Sequence, residues 1–234
     1  MRYTHLLFDA DGTLFDFEQA ETEALKQTLA RRNLPFSPII RSRYREINQT
    51  LWDEFEQGRI QKEELKAERF RRLLTEFNVD DDPSAVNQIY VEELAKCSFL
   101  FEDALSVCQQ LSAHCELAII TNGIAEVQHS RFNRSPLSNV IPHIFVSESI
   151  GFQKPQASYF DAVLSSLEIS DRRTVLVIGD SLTADIAGGL QSGLDTCWFN
   201  PANKKSPPET QPTYMIGRLN QIQSIVFGQE LSRA

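Results

Sequence analysis

The chain has no long hydrophobic run. No apolar stretch approaches the roughly 20 residues that a helical membrane span requires. Its start, MRYTHLLFDA, lacks the apolar core and small-residue cleavage site of a signal peptide. Basic residues are outnumbered and dispersed: 23 Lys and Arg stand against 32 Asp and Glu, for a net charge of −9, and they gather in no block. Binding a nucleic-acid polymer normally leaves a basic footprint, so no such partner is expected, whereas a small phosphorylated metabolite remains compatible. Cysteine is sparse as well. Cys97, Cys108, Cys115 and Cys197 form no C-x-x-C pair and no zinc-like spacing with the four histidines, which reads as reduced, buried thiols. A cytoplasmic protein with no membrane partner is the expectation. Internal repeats, a G-x-x-x-x-G-K-[ST] loop and a defensible Ser-His-Asp arrangement are also missing.

What the chain does have is a recurrence of short apolar runs. Thr4 to Ala10, Glu116 to Asn122, His143 to Ser149, Thr174 to Asp180 and Asp195 to Asn200 are each rich in β-branched or aromatic residues and short enough to be strands. Runs apolar on both faces and separated by helical stretches predict a parallel sheet covered on both sides, a doubly wound, Rossmann-like α/β fold. The alternation breaks after the first run, where residues 16–98 read as helices only. One begins near Phe17 and fades at Asn33. A second starts at Ser37-Pro38 and ends at Gly58, with Tyr44, Ile47, Leu51, Trp52 and Phe55 stepping by three and four along one face. A third carries Leu65, Phe70, Leu73, Leu74 and Phe77, and a fourth opens at Asp82-Pro83. An insertion of this length exceeds any ordinary strand-to-helix connection. The expected division is therefore a core of residues 1–15 and 99–234 with a helical cap domain of residues 16–98, placed where open α/β sheets bind ligands. Lys204 to Pro212 reads as a polar loop.

The chemistry gathers at strand ends. FDADGTLFD, Phe8 to Asp16, ends an apolar run in two aspartates and a glycine, poor strand formers whose like charges repel. The second run ends in Thr121-Asn122-Gly123 and the fourth in Asp180, with Asp185 five residues on; Lys154-Pro155 lies between the third and fourth. A parallel sheet brings such ends to one edge. Clustered carboxylates need a cation or a shared proton, and Mg²⁺ binds through one or two carboxylates plus water and substrate phosphate. Asp9 and Asp180 are the natural side-chain ligands. The Thr121 hydroxyl and the backbone N–H groups of Asn122 and Gly123 can hold phosphate oxygens, and Lys154 adds positive charge. With no other nucleophile in evidence, attack by Asp9 on phosphorus would give an acyl phosphate that water hydrolyses. Asp11 could protonate the leaving oxygen and later take a proton from water. Gly12 permits the sharp turn between these groups.

These motifs in this order, D-x-D-G-T at Asp9 to Thr13, T-N-G at Thr121 to Gly123, K-P at Lys154-Pro155 and G-D-x4-D at Gly179 to Asp185, resemble the haloacid dehalogenase superfamily over the whole chain, including an all-helical cap after the first motif. The resemblance implies Asp9 as nucleophile, Asp11 as general acid and base with its backbone carbonyl on Mg²⁺, Thr121 and Lys154 on phosphate, Asp180 on the metal, and Asp185 orienting either the metal's water shell or Lys154. INQTLWDEFEQGRI and ERF in the insertion, ITNGIAEVQHSRF, SESIGFQKP and GDSLTADIAGGLQSGLDTCWFN are similar to bacterial pyrimidine 5′-nucleotidases acting on non-standard nucleoside monophosphates. Ser135-Pro136-Leu137 departs from the Thr-Gly-Leu-like turn of that family.

A Mg²⁺-dependent phosphatase of a nucleoside 5′-monophosphate is the leading expectation. Phosphatases of other small metabolites such as phosphoglycolate or a sugar phosphate, a phosphomutase, a dehalogenase and a non-catalytic binding protein are the alternatives; the last two fit poorly with Asp11 and with the intact set of catalytic residues. For the substrate's nucleoside, Trp52 could stack on a base or belong to the helical core. Asn48 could hydrogen-bond a base or satisfy a helix end. Arg41, Arg43, Arg45 and Lys62 are expected on solvated faces.

Overall fold

The computed structural model of the chain describes residues 2–205 and 207–228. Its strands β1 (His5–Asp9), β2 (Glu116–Thr121), β3 (His143–Val146), β4 (Val175–Gly179), β5 (Asp195–Phe199) and β6 (Tyr214–Ile216) form one sheet in the order β3-β2-β1-β4-β5-β6, every neighbouring pair parallel. Helices α1 (Phe17–Arg31), α2 (Pro38–Glu56), α3 (Lys62–Glu76) and α4 (Pro83–Leu94) follow β1; α5 (Ala104–Ser112), α6 (Ala125–Arg134), α7 (Ser147–Ile150), α8 (Ala157–Ser166), α9 (Ala187–Gln191) and α10 (Gln221–Phe227) are distributed among and after the later strands.

The period of two in each strand decides which face it covers. Leu6 and Phe8 of β1, Leu117 and Ile119 of β2, and Leu176 and Ile178 of β4 pack with Val107 and Leu111 of α5 and Ile222 and Val226 of α10. The intervening Leu7, Ala118, Ile120, Val175 and Val177 pack against Tyr159, Phe160 and Val163 of α8. Both faces of the central strands are thus buried, which is why these runs carry no polar alternation. The doubly wound fold expected from the sequence is the fold observed. All four cysteines are free and buried, and no helix among the described residues is long and apolar enough to cross a membrane.

Two local expectations are corrected. The third run leaves the sheet at Val146 rather than Ser149, because Ser147 to Ile150 coil into α7, which ends at Gly151 in the left-handed region, φ 83°. Strand β6 and helix α10 carry no signal strong enough to be expected. The strand is three residues long and follows the polar loop Lys204 to Pro212, of which Ser206 lies outside the described residues. The departure at Ser135-Pro136-Leu137 is a short 3₁₀ turn, Pro136–Asn139, capped by Ser135, whose hydroxyl accepts from the Leu137 N–H at 3.2 Å.

The chain divides into two compact units, one holding the segments up to Phe17 and from Ser98 onward, the other Glu18–Cys97. In the helical unit, Ser37 caps α2 by accepting from the Ile40 N–H, with Pro38 at the first helical position. Asp82 and Pro83 open α4 in the same way. Tyr44 of α2, Phe70 of α3 and Tyr90 of α4 form an aromatic trio with ring centroids 5.2 to 5.4 Å apart, which joins the three helices through large apolar area. Lys62 is corrected here. It is buried rather than solvated, its ammonium 5.2 Å from the centre of the Phe55 ring, where a cation–π contact offsets lost hydration.

Candidate active site

Strand β1 delivers Asp9 at its last residue, between the ends of β2 and β4. Beyond it the backbone folds back: the N–H groups of Leu14 and Phe15 both donate to the Ala10 carbonyl, at 3.0 and 2.8 Å, and Gly12 adopts φ 87°. A side chain at residue 12 would be strained, and its Cβ would lie 2.5 Å from Oδ2 of Asp180. The glycine of D-x-D-G-T therefore does two things: it makes the turn, and it leaves room for a carboxylate from another strand.

Lys154 is the hub. Its ammonium group, 2 % exposed, donates to Asp9 Oδ1 at 2.7 Å, to Asp185 Oδ1 at 2.6 Å and to the Ile120 carbonyl at 3.0 Å, which uses all three of its protons. Burial works to strip its proton, but Asp185 and Asp9 outweigh burial and raise its pKa, so the group is a fixed cation. The loop that carries it is held by Asn122, whose side-chain amide donates to the Lys154 carbonyl at 2.8 Å and accepts from the Lys154 N–H at 2.9 Å. Asn122, expected to face substrate, spends its amide on that loop.

Asp9, Asp180 and Asp185 form the metal-ligand candidate, with one oxygen of each within 4.8 Å of the others. Asp185 is fully buried and occupied on both oxygens, by Lys154 and by the Ser181 N–H at 3.1 Å. It sits on a π-helical turn, Leu182–Ile186, capped by Ser181. A Cβ at Gly179 would lie 2.2 Å from Asp185 Oδ2, so glycine at the end of β4 is what lets Asp185 approach. Asp9 Oδ2, in contrast, is buried with no hydrogen-bond partner among the described residues. An orphaned carboxylate oxygen beside two further carboxylates is the donor set of a hard cation, and Mg²⁺ fits it. Without a cation, burial and the charges of Asp185 and Asp180 push the Asp9 carboxyl upward against the pull of Lys154. Asp180 keeps one side open to solvent, but crowding by protein atoms and the charge of Asp185 push its carboxyl up to about 7. Trp198 of β5 fixes its backbone, the indole N–H donating to the Asp180 carbonyl at 2.9 Å.

On the β2 side, the Thr121 hydroxyl accepts from the Gly123 N–H at 3.0 Å and the Thr121 N–H donates to the Tyr159 hydroxyl at 3.1 Å. That hydroxyl donates onward to the Phe145 carbonyl at 2.8 Å, a buried relay under the ends of β2 and β3. The Asp11 carboxylate stands apart from the cluster of three. It accepts from the side-chain amide of Gln128 and from the guanidinium of Arg131, both on α6. Gly123 faces this pair: a Cβ there would lie 2.1 Å from Gln128 Nε2.

The structure thus brings together Asp9, Thr121, Asn122, Gly123, Lys154, Asp180 and Asp185 at the ends of β1, β2 and β4 and in the loops beyond, with Asp11 on the loop after β1. The two candidates of the helical unit are separate from one another in burial. Trp52 is half-buried, its ring edge-on to Phe55 at 5.6 Å. Asn48 is 2 % exposed and engaged on both sides, donating to Glu21 at 2.8 Å and accepting from Arg69 at 3.4 Å. Both sides of that amide are thus engaged within the helical unit, where it holds a buried carboxylate. Sequence reasoning missed Tyr159, Trp198, Gln128 and Arg131. The last two lie three apart on one helix, a spacing that could have flagged them.

The haloacid dehalogenase-like hydrolase family matches residues 6–199. The Bacillus subtilis protein YfnB is 40 % identical over 96 % of both chains, and its magnesium-bound crystal structure superposes with a TM-score of 0.93 at 39 % identity, covering 97 % of this chain and 99 % of that one. Pyrimidine 5′-nucleotidase PynA of Streptococcus pneumoniae is 36 % identical over 92 % of both chains. Pyrimidine 5′-nucleotidase YjjG of Escherichia coli is 28 % identical over 97 % of this chain and 99 % of its own. Motif order, carboxylate cluster and near-complete overlap agree, and this chain belongs to the haloacid dehalogenase-like hydrolase family.

Proposed function

We propose that this phosphoric monoester hydrolase removes phosphate from a pyrimidine nucleoside 5′-monophosphate through a phosphorylated Asp9, with Mg²⁺ as its metal. The observation that carries the reading is the orphaned, buried Asp9 Oδ2 in a cluster of three carboxylates that a single lysine only partly neutralises. Support for the substrate class comes from PynA and YjjG. Asp9, Asp180 and the backbone carbonyl of Asp11 would hold the metal, with Asp185 supporting. Bound there, Mg²⁺ would offset charge on the phosphoryl oxygens.

The chain's own residues supply the rest. An Asp9 oxygen attacks phosphorus as the bond to the nucleoside oxygen breaks, and Asp11 gives that oxygen its proton. Asp11 then takes a proton from water, which attacks phosphorus and breaks the bond to Asp9, freeing inorganic phosphate. The fixed charge of Lys154 and the Thr121 hydroxyl, which accepts from the Gly123 N–H and keeps its own proton to donate, steady the phosphoryl oxygens, while Asn122 holds the Lys154 loop. Trp52 remains the candidate for contact with the base.

Phosphate release from a panel of nucleoside monophosphates, phosphoglycolate and sugar phosphates, with Mg²⁺ and after exhaustive chelation, tests the reading. It expects pyrimidine monophosphates to rank first and chelation to abolish turnover. Full activity in chelator, or a sugar phosphate ranked first, overturns it. Trp52→Ala should cost tenfold or more in kcat/KM on a pyrimidine monophosphate, the ~1 to 3 kcal/mol typical of base stacking, and little on an aryl phosphate. Equal losses with a lower Tm would make Trp52 a packing residue only.

A further inference from the structure

The Asp11 carboxylate is bound through both oxygens by one helix face: Gln128 reaches Oδ2 and Arg131 reaches Oδ1. Gln128 is 3 % and Arg131 1 % exposed, although Asp11 keeps 24 % of its side-chain surface open. A buried guanidinium is costly to desolvate, and a partly solvated aspartate does not need one for its own stability. The guanidinium lies over the rings of Phe15 and Phe17, at 4.9 and 5.9 Å from their centres, both in the segment that follows Asp11. Residues three apart share a helix face, so α6 presents amide and guanidinium side by side. Gly123 clears the path of the amide, since a Cβ there would occupy its place. The rim of α6 is itself fixed, the Ala125 N–H donating to Glu148 at 2.9 Å.

We infer that Gln128 and Arg131 are positioning residues for proton transfer by Asp11. They fix the rotation of its carboxyl plane by a two-point contact, so that its remaining lone pairs point in one direction when the alcohol leaves and when water attacks. A small misplacement of a proton-transfer group is enough to lose much of its rate contribution. The inference rests on the reading of Asp11 as the acid and base, and the test separates the two.

The experiment compares kcat/KM for uridine 5′-monophosphate, whose alkoxide must be protonated as it leaves, with 4-nitrophenyl phosphate, whose phenolate departs without a proton. Asp11→Asn, Gln128→Leu, Arg131→Met and Arg131→Lys are measured singly, and Gln128→Leu and Arg131→Met also in the Asp11→Asn background, with melting curves throughout. The expected result is a loss on the nucleotide at least tenfold larger than on the aryl phosphate for Asp11→Asn, Gln128→Leu and Arg131→Met. Arg131→Lys should recover part of it, and neither substitution should add more than about threefold once Asp11 is Asn. If Asp11→Asn shows the unequal loss but Gln128→Leu and Arg131→Met lose equally on both substrates, or add in full to Asp11→Asn, the positioning role is wrong and the pair is structural. If Asp11→Asn itself loses equally on both, the role of Asp11 fails and the inference falls with it. Should Arg131→Met not fold, Gln128→Leu alone decides.

Discussion

Asp9 has one oxygen held by Lys154 and the other with no hydrogen-bond partner among the described residues, and that asymmetry is what the proposed chemistry uses. Asp9→Asn keeps the shape and would remove the proposed nucleophile, so turnover should fall to the assay background while Tm stays within a few degrees of the native value; residual first-order turnover in the purified variant would contradict the role. Asp11→Asn, assayed on a nucleoside monophosphate, should lose ~10² to 10⁴ in kcat, the usual range for general acid–base catalysis. Gly179 tests the support of the cluster. Its backbone is unstrained, but a methyl group there would meet the Asp185 side chain at 2.2 to 2.5 Å. Gly179→Ala should displace Asp185 from Lys154 and weaken Mg²⁺ binding tenfold or more by calorimetry, and unaltered affinity would mean the turn relaxes freely. The two glycines look alike in sequence, yet Gly12 is needed for both its φ and its missing Cβ, and Gly179 for its missing Cβ alone.

Among the elements, strands β1 to β5 announced themselves because buried parallel strands are rich in apolar residues and the central ones end where chemistry-bearing residues begin, whereas the three-residue edge strand β6 did not. The helices of the inserted unit were equally legible from Ser37-Pro38, Asp82-Pro83 and the spacing of Tyr44, Ile47, Leu51 and Phe55. Buried charge was not legible. Arg69, Arg131 and Lys62 are nearly inaccessible, but a basic residue on a helix is solvated by default, and the partners that overturn the default lie far away in sequence: Asn48 for Arg69, Asp11 for Arg131. The π-helical turn before α9 was invisible for the same reason, since what it accomplishes is the approach of Asp185 to Lys154, 31 residues away. Asn48 gives this a measurable form. Burial raises the pKa of Glu21, and the amide of Asn48 with the charges of Arg45 and Arg69 works against it. Asn48→Ala removes a donor to a buried carboxylate and should cost about 1 to 3 kcal/mol. Because only the ionised carboxylate depends on that donor, the loss should be larger at pH 8 than at pH 5. A drop in Tm with kcat/KM on nucleotides nearly unchanged is expected; selective loss on nucleotides at unchanged Tm would return Asn48 to the substrate.

For the molecule as a whole, charge couples metal, proton and stability. The Asp180 carboxyl, raised to about 7 in the absence of metal, favours the fold while protonated, and this contribution is complete below the ordinary aspartate range and lost as pH rises through about 7. On the proposed reading, Mg²⁺ bound at the cluster would relieve the repulsion that appears above that pH. The rise in Tm on adding a fixed excess of Mg²⁺ should therefore be larger at pH 8 than at pH 6, with proton release on binding greatest between them; saturating ligand at 100 times its Kd is worth about 2.7 kcal/mol. An equal shift at both pH values would place the titrating carboxylate elsewhere. The sheet order carries a further consequence, for the making of the chain. His5 pairs with Glu116 on one side and Val175 on the other, so the central strand is synthesised first and flanked last. At ribosomal speeds of about 5 to 20 residues per second, β1 waits roughly ten seconds or more for its second neighbour. Until β2 is made Leu6, Leu7 and Phe8 have no sheet to enter, and until β4 is made one edge of β1 stays unpaired, which exposes the nascent chain to mispairing that the finished enzyme does not face. A ribosome stalled before Gly179 would present Asp9, Thr121 and Lys154 without Asp180 and Asp185, the other two carboxylates of the cluster.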